Sequence, residues 1–365
     1  MNETKDFFSE SEKRKILDEP FNNLNSVMLD IFSEKVKSQK EITLLKNYEN
    51  KHSLFEISKI DPRIYNEISN IFFDSVNDDY ECIELSPICP IGLSSIISGT
   101  NQNNVLSALR GAEVVSDSSI SMALECAKRI KNEKKSCINL ASSTRLLRTQ
   151  NYGQGVKKHW SQHFKACSLV SSFRNEKSNM FDTLNYQLSN WIKVLNNLKN
   201  NLEIEKININ VCFLPLVKEI YKEYEISEKE LLSNSMNEDY HIFNKYNINL
   251  PASLENLDLI AGLSENKDYL LSIRNVFKYI DDNIFIPLKS NYPNINFGLQ
   301  LERKSGLNYY DNFCYEIIVE FKNGKYLNLV DGGITNWTGK ILSDSKEKCI
   351  TSGMGLEYLG KIYKR

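Results

Sequence analysis

From Asn294 onward the sequence runs in strand-length apolar segments: INFGLQLER, then SGLNYYDNFCYEIIVEF, then KYLNLVDGG. Only after these comes a helical pattern, GMGLEYLGKIYKR. Strands that follow one another with few intervening helices do not build a doubly wound parallel sheet, which needs regular βαβ alternation. The pattern predicts an α+β fold built on an antiparallel β-sheet flanked by helices.

The preceding chain is compatible with that class. Residues 1–58 are rich in Lys, Glu, Asn and Ser, with Leu24, Val27, Met28, Ile31 and Phe32 at helical spacing. They predict an N-terminal extension of one or two amphipathic helices. Asp61-Pro62 is a helix start, a capping residue followed by proline. YECIEL reads as a strand that ends before Pro87, since proline cannot donate to a ladder. Residues 105–115 read as a strand pair turning at Arg110-Gly111, and 120–130 as a helix capped from the DSSIS stretch. Strands at 137–147 and 166–172 flank the polar loop NYGQGVKKHWSQ, and long loops in compact domains are often functional. A helix at 184–198, a strand at 207–213 and helices at 215–224 and 270–286 follow. The polar stretch 226–268 reads as a helical insertion in a core that spans 59–365.

Bulk properties exclude more than they assign. The formal net charge of −2 gives no reason to expect a nucleic-acid polyanion as partner. There is no apolar run of membrane-spanning length, and MNETKDFFSESEKRK lacks the apolar core of a signal peptide. A cytoplasmic protein without a membrane partner is therefore expected. The eight cysteines are scattered and lack a C-x-x-C pair, so reduced, structural thiols are expected. His159 and His163 stand four apart but lack the acidic companion of a zinc helix, so no metal site is assigned to the chain.

Several segments then fall, in order, onto one family pattern. SGLNYYDNFCYE resembles the histidine-binding segment of histidyl-tRNA synthetases, R-G-L-D-Y-Y with a downstream F-E. TRLLRTQ resembles the opening of class II motif 2, and Gln162-His163-Phe164 its close. YECIELSP is similar to motif 1, VVSDSS stands at the L-R-P-E-x-T position, and GMGLEYL stands at motif 3. The chain thus resembles the class II aminoacyl-tRNA synthetase core, and within that class the histidyl enzymes, over roughly residues 60–365. The resemblance implies a six- or seven-stranded antiparallel sheet, a homodimer through motif 1, and a pocket for an amino acid (histidine or an analogue) and for ATP with Mg²⁺.

Carried over residue by residue, the resemblance makes Arg145 the catalytic cation at the ATP α-phosphate. It puts Asp117, Ser119, Tyr309, Tyr310 and Glu316 on the amino acid, and Arg148, Gln150, His163 and Phe164 on the nucleotide. Asp117 also reads as a plain helix cap, Glu316 as an exposed strand charge, and the tyrosines as strand residues pointing to opposite faces.

Three family positions depart from the pattern. Leu147 replaces the motif 2 glutamate, Ser305 the arginine before G-L-x-Y-Y, and Tyr358 the motif 3 arginine. Serine and tyrosine cannot supply the forked cation a phosphate needs, so Arg303 and Lys361 are the nearby candidates to restore charge. No anticodon-binding segment follows motif 3, so ordinary tRNA charging is not expected. Two readings stay open. One is an adenylate-forming ligase with a non-tRNA acceptor. The other is an amino-acid-binding regulatory subunit, like that of ATP phosphoribosyltransferase, or a non-catalytic scaffold.

Overall fold

The computed structural model describes residues 8–50, 52–133, 137–150, 161–174, 177–234, 240–248 and 267–364. Among the described residues, the N-terminal region carries α1 (Glu10–Asp18), α2 (Phe21–Lys37), α3 (Glu41–Asn50) and α4 (His52–Phe55). Next come α5 (Pro62–Ser75), β1 (Tyr80–Cys82), β2 (Ile88–Pro90), α6 (Leu93–Ser98), β3 (Ser107–Ala108), β4 (Ala112–Val114) and α7 (Ser118–Glu133). The long pair β5 (Ile138–Leu147) and β6 (His163–Arg174) precedes α8 (Lys177–Leu202), β7 (Ile204–Phe213) and α9 (Leu214–Glu223). The described parts of the 226–268 stretch include α10 (Glu228–Ser233) and α11 (Ile242–Tyr246). α12 (Lys267–Ile280) runs through a π-helical turn (Asp281–Phe285) into α13 (Ile286–Asn291). The chain closes with β8 (Ile295–Leu299), β9 (Phe313–Phe321), β10 (Tyr326–Thr335), α14 (Trp337–Leu342), β11 (Glu347–Gly355) and α15 (Leu356–Ile362).

Eight strands form one sheet in the order β1-β5-β6-β11-β10-β9-β7-β8. The six strands between the edges pair antiparallel, as expected. At the two edges the pairing is parallel: β1 runs parallel to β5, and β8 parallel to β7. Each edge strand is separated from its neighbour by a long crossover, through α7 on one side and α9–α13 on the other. Such crossovers return the chain in the same direction. A small sheet, β2-β4-β3, turns through Arg110 (φ 72°) and Gly111 (φ 69°), where the sequence places a turn.

The large sheet is two-sided. Leu169 on β6 and Ala141 on β5 pack with Ile68 and Phe72 of α5 and with Leu188, Trp191 and Leu195 of α8. Their chain neighbours Val170 and Leu140 belong to a different core, with Met122 and Cys126 of α7 and Trp337 of α14. Strand alternation divides the two layers. Asp61 caps α5 by accepting from Arg63 N at 2.9 Å, with Pro62 in the first turn, as its sequence predicts.

Glu113 on β4 is fully buried and organises the segment that runs from β2 into α6. Its carboxylate accepts from Gly92 N (2.8 Å), Ser94 N (3.0 Å) and Gln102 Nε2 (3.0 Å). Burial alone would raise its pKa, but these donors outweigh burial and hold it below the ordinary glutamate value of 4.5. A depressed folded-state pKa stabilises the fold above the unfolded value, and that stability is lost as pH falls through the folded value. Glu113→Gln should therefore cost about 1–3 kcal/mol near neutral pH. In urea unfolding, the gap between variant and parent should narrow as the pH is lowered below 4.5.

Candidate functional site

One pocket of about 650 Å³ opens on the α7 side of the large sheet. Its floor comes from β5 and β6 (Leu146, Phe164, Ala166, Ser168), β10 (Asp331) and β11 (Thr351 to Gly355). The start of α7 supplies Asp117 to Ser119, and the loop between β8 and β9 supplies Lys304 to Tyr310. The far wall, Ser98 to Asn101 with Asn104, belongs to the segment that Glu113 anchors. α10 reaches over with Glu228 and Leu231, and Asn308 Nδ2 donates to Glu228 Oε1 at 3.0 Å.

Tyr309 and Tyr310 are in a turn, not in the strand that the sequence leads one to expect. Gly306 has φ 73°, and its carbonyl accepts from the amides of both tyrosines. The ladder of β9 begins only at Phe313. Released from strand alternation, the two rings pack edge to face at 4.8 Å, and both line the pocket. Each hydroxyl donates to a different carboxylate, Tyr309 to Asp117 Oδ2 (2.8 Å) and Tyr310 to Asp331 Oδ2 (3.0 Å). Burial pushes both phenols well above their usual range, so they remain protonated donors.

Asp117 caps α7, as the plain reading of the sequence has it, and also faces the pocket. Its Oδ1 accepts from Ser119 N at 2.9 Å at the start of α7, while Oδ2 takes the Tyr309 hydroxyl in the pocket. Beside it stands Arg148, with Nη2 at 3.8 Å from Asp117 Oδ2. Arg148 Nε donates to the Ser116 carbonyl at 2.9 Å, and the guanidinium lies 5.1 Å over the Phe164 ring. Asp117, Ser119, Arg148, Gln150, Phe164, Tyr309 and Tyr310 therefore share one cavity.

The remaining expected site residues do not line it. Arg145, expected at a phosphate, lies away from this pocket. Leu146 faces the pocket, so its neighbour Arg145 faces the opposite layer. There it sits 5.2 Å over Tyr65 of α5, 3.1 Å from His163 Nδ1 and 3.5 Å from Glu357. His163 is in the same reverse-face cluster, with Nε2 against the Glu56 carbonyl. Burial raises the pKa of Glu357 there, although Tyr65 and Lys165 N donate to it.

Arg303 is 4% exposed and held under the floor, where Nη2 pairs with Asp331 at 2.8 Å and Nε donates to the Ser305 carbonyl. Burial disfavours its charge, but Asp331 outweighs that and keeps it cationic. It is thus the counter-ion of Asp331 and supplies no charge at the Ser305 position. Glu316 is buried on β9, accepting from Asn210 (3.3 Å) and Asn328 (3.0 Å), and burial raises its pKa. Lys361 is exposed on α15, and Tyr358 of the same helix packs toward Phe321, outside the pocket. His159, Lys157 and Lys158 fall outside the described residues.

Sequence reasoning missed Asp331, Lys304 and Glu228. Asp331 had a readable signal, the two glycines that follow it. A Cβ at Gly332 would meet the Tyr315 ring at 2.5 Å, and one at Gly333 the Tyr310 ring at 2.7 Å. The glycines let aromatic rings lie directly on the sheet beside the carboxylate.

No protein-family profile and no curated protein matches the sequence. Solved structures do match. A histidyl-tRNA synthetase from Nostoc sp. PCC 7120 superposes with TM-score 0.60 at 15% identity, covering 85% of this chain and 74% of that one. A histidine–tRNA ligase subunit from Alicyclobacillus acidocaldarius gives TM-score 0.58 at 12% identity, over 82% and 93%. A structure from Bacillus halodurans, described as an ATP phosphoribosyltransferase regulatory subunit/histidyl-tRNA synthetase, gives 0.54 at 12%, over 83% and 80%. The chain has a class II synthetase-like fold. Within that fold, among the described residues, no helix is long and apolar enough to cross a membrane.

Gly333→Ala should force the Tyr310 ring off the sheet and destabilise the fold by about 1–3 kcal/mol. Urea unfolding measures the loss, and near-ultraviolet circular dichroism should report the displaced tyrosine.

Proposed function

We propose that the pocket binds a free amino acid by its zwitterionic head group and does not activate it with ATP. The supporting observation is the pairing of Asp117 and Arg148 on one wall, 3.8 Å apart and only partly exposed. An acid and a base so placed complement the ammonium and carboxylate on a single α-carbon. A partly exposed pair at this distance contributes little to stability, so a ligand that engages both ends breaks only a weak contact. Tyr309 and Ser119 N hold the Asp117 carboxylate with one donor on each oxygen. A carboxylate has about four lone-pair sites, so acceptor capacity remains for an ammonium.

The described residues fit a triphosphate poorly. Arg145 faces away, Arg303 is committed to Asp331, and Lys304 Nζ donates to the Tyr240 carbonyl at 2.8 Å. Arg148 covers the Phe164 ring face, a surface on which a planar base could otherwise stack. This donor set supports binding without adenylation, the role of a regulatory subunit. Histidine or a close analogue is the first amino acid to test, because of the fold.

Thermal-shift titration with each amino acid is the direct test. A productive ligand at 100 times its Kd should stabilise the fold by about 2.7 kcal/mol. Asp117→Asn and Arg148→Gln should each weaken binding at least tenfold, and the amino acid's deaminated analogue should fail to bind. ATP–pyrophosphate exchange should be absent. Exchange activity would replace this reading with the ligase, and the absence of any amino-acid shift at millimolar levels would remove it.

A further inference from the structure

The head-group site proposed above takes up one wall of a cavity of about 650 Å³, which leaves room for a side chain. The tyrosine pair leads from that wall to a second carboxylate. Tyr309 donates to Asp117, its ring packs edge to face on Tyr310 at 4.8 Å, and Tyr310 donates to Asp331 on β10. Burial is the main cause of the raised Tyr309 pKa, and the charges of Asp117 and Asp331 both add to it. One phenol therefore lies within the field of both acids.

Asp331 presents an open side to the cavity. Its side chain is 45% exposed, whereas the Arg303 side chain beneath it is 5% exposed and outside the lining. A ligand on this part of the floor meets the carboxylate and not the guanidinium. Arg303 also faces a second acid. Glu316 is the cross-strand partner of Asp331, so the two project from one face of the sheet. Burial is the largest cause of the raised Glu316 pKa, with Arg303 opposing it and Asp331 adding to it. One guanidinium thus stands against two carboxylates. The lysine of the lining, Lys304, donates to the Tyr240 carbonyl.

We propose that Asp331 sets the side-chain specificity of the pocket: it receives an ammonium or guanidinium at the end of an apolar stem, as in lysine, ornithine or arginine. The proposal rests on the head-group reading, in which Asp117 and Arg148 hold the α-carbon end. The methylene stem lies along Tyr309 and Tyr310, whose rings offer an apolar surface between two polar ends. An uncharged side chain of the same length cannot give Asp331 a charge-assisted hydrogen bond. Histidine, whose imidazole is mostly neutral at neutral pH, fits this end less well than a permanent cation.

Calorimetric titration of the full chain at neutral pH tests the proposal. Lysine, ornithine or arginine should bind at least about tenfold more tightly than norleucine and citrulline, their uncharged counterparts. Asp331→Asn should bring lysine down to the affinity of norleucine. That variant also removes the counter-ion of a buried arginine, so circular dichroism checks its fold, and the lysine-to-norleucine ratio of the parent is a test that does not need it. A parent that binds norleucine as tightly as lysine overturns the proposal, as does a folded Asp331→Asn that keeps the preference. Cadaverine, which is lysine without its carboxylate, separates the proposal from the reading it rests on. If cadaverine binds as tightly as lysine and loses affinity in Asp331→Asn, the head-group reading falls and the cation site at Asp331 stands. If neither cadaverine nor any amino acid binds at millimolar levels, both fall.

Discussion

Leu169 and Val170 are neighbours on β6, both fully buried, and they belong to different cores. The rest of the molecule depends on that alternation. One face of the sheet carries α5 and α8 and is sealed by aliphatic and aromatic packing around Trp191. The other face carries α7 and α14 toward one end and leaves the pocket open toward the other. Every side chain on β5 and β6 is committed to one layer or the other by whether its position is odd or even.

The chemistry of the pocket follows from how its carboxylates are compensated. Asp331 is neutralised from below by a buried arginine and held from the side by Tyr310. Asp117 is held by Tyr309 and by the start of α7, with Arg148 as a partly solvated neighbour. The two tyrosines therefore act as donors that fix acceptors. They do not supply the charge that would recognise a ligand. Asp117 keeps acceptor capacity toward the pocket, which the amino-acid reading proposed above requires. Arg303 lies behind Ser305, and its Nε donates to the Ser305 carbonyl.

Much of this was legible in the residues. The capped start of α5, the β5–β6 pair, the turn at Arg110-Gly111 and the run of C-terminal strands all carry local signals in capping, proline, glycine and apolar spacing. The tyrosine pair was legible as a pocket element, but its conformation was not. A glycine three residues upstream, at positive φ, converted an apparent strand into a turn. Arg145 was the opposite case, a residue whose type was legible and whose placement on the face away from the pocket was not. Asp331 was overlooked because its role depends on Arg303 and Tyr310, which are remote from it in the chain and meet it only in the folded sheet.

The sequence by itself determined the fold class and the place of most long elements, because those depend on local periodicity and on glycine and proline stereochemistry, while the segments expected at the pocket came from the family resemblance. Only the tertiary structure decided which side chains enter the pocket, which carboxylates are compensated and which cations are already committed. The reason is geometric. A shift of one residue in strand register moves a side chain to the other face of the sheet. A carboxylate's partner is set by strands and loops that meet only after folding, so Arg145 and Arg148, three residues apart, end on opposite sides of the same sheet.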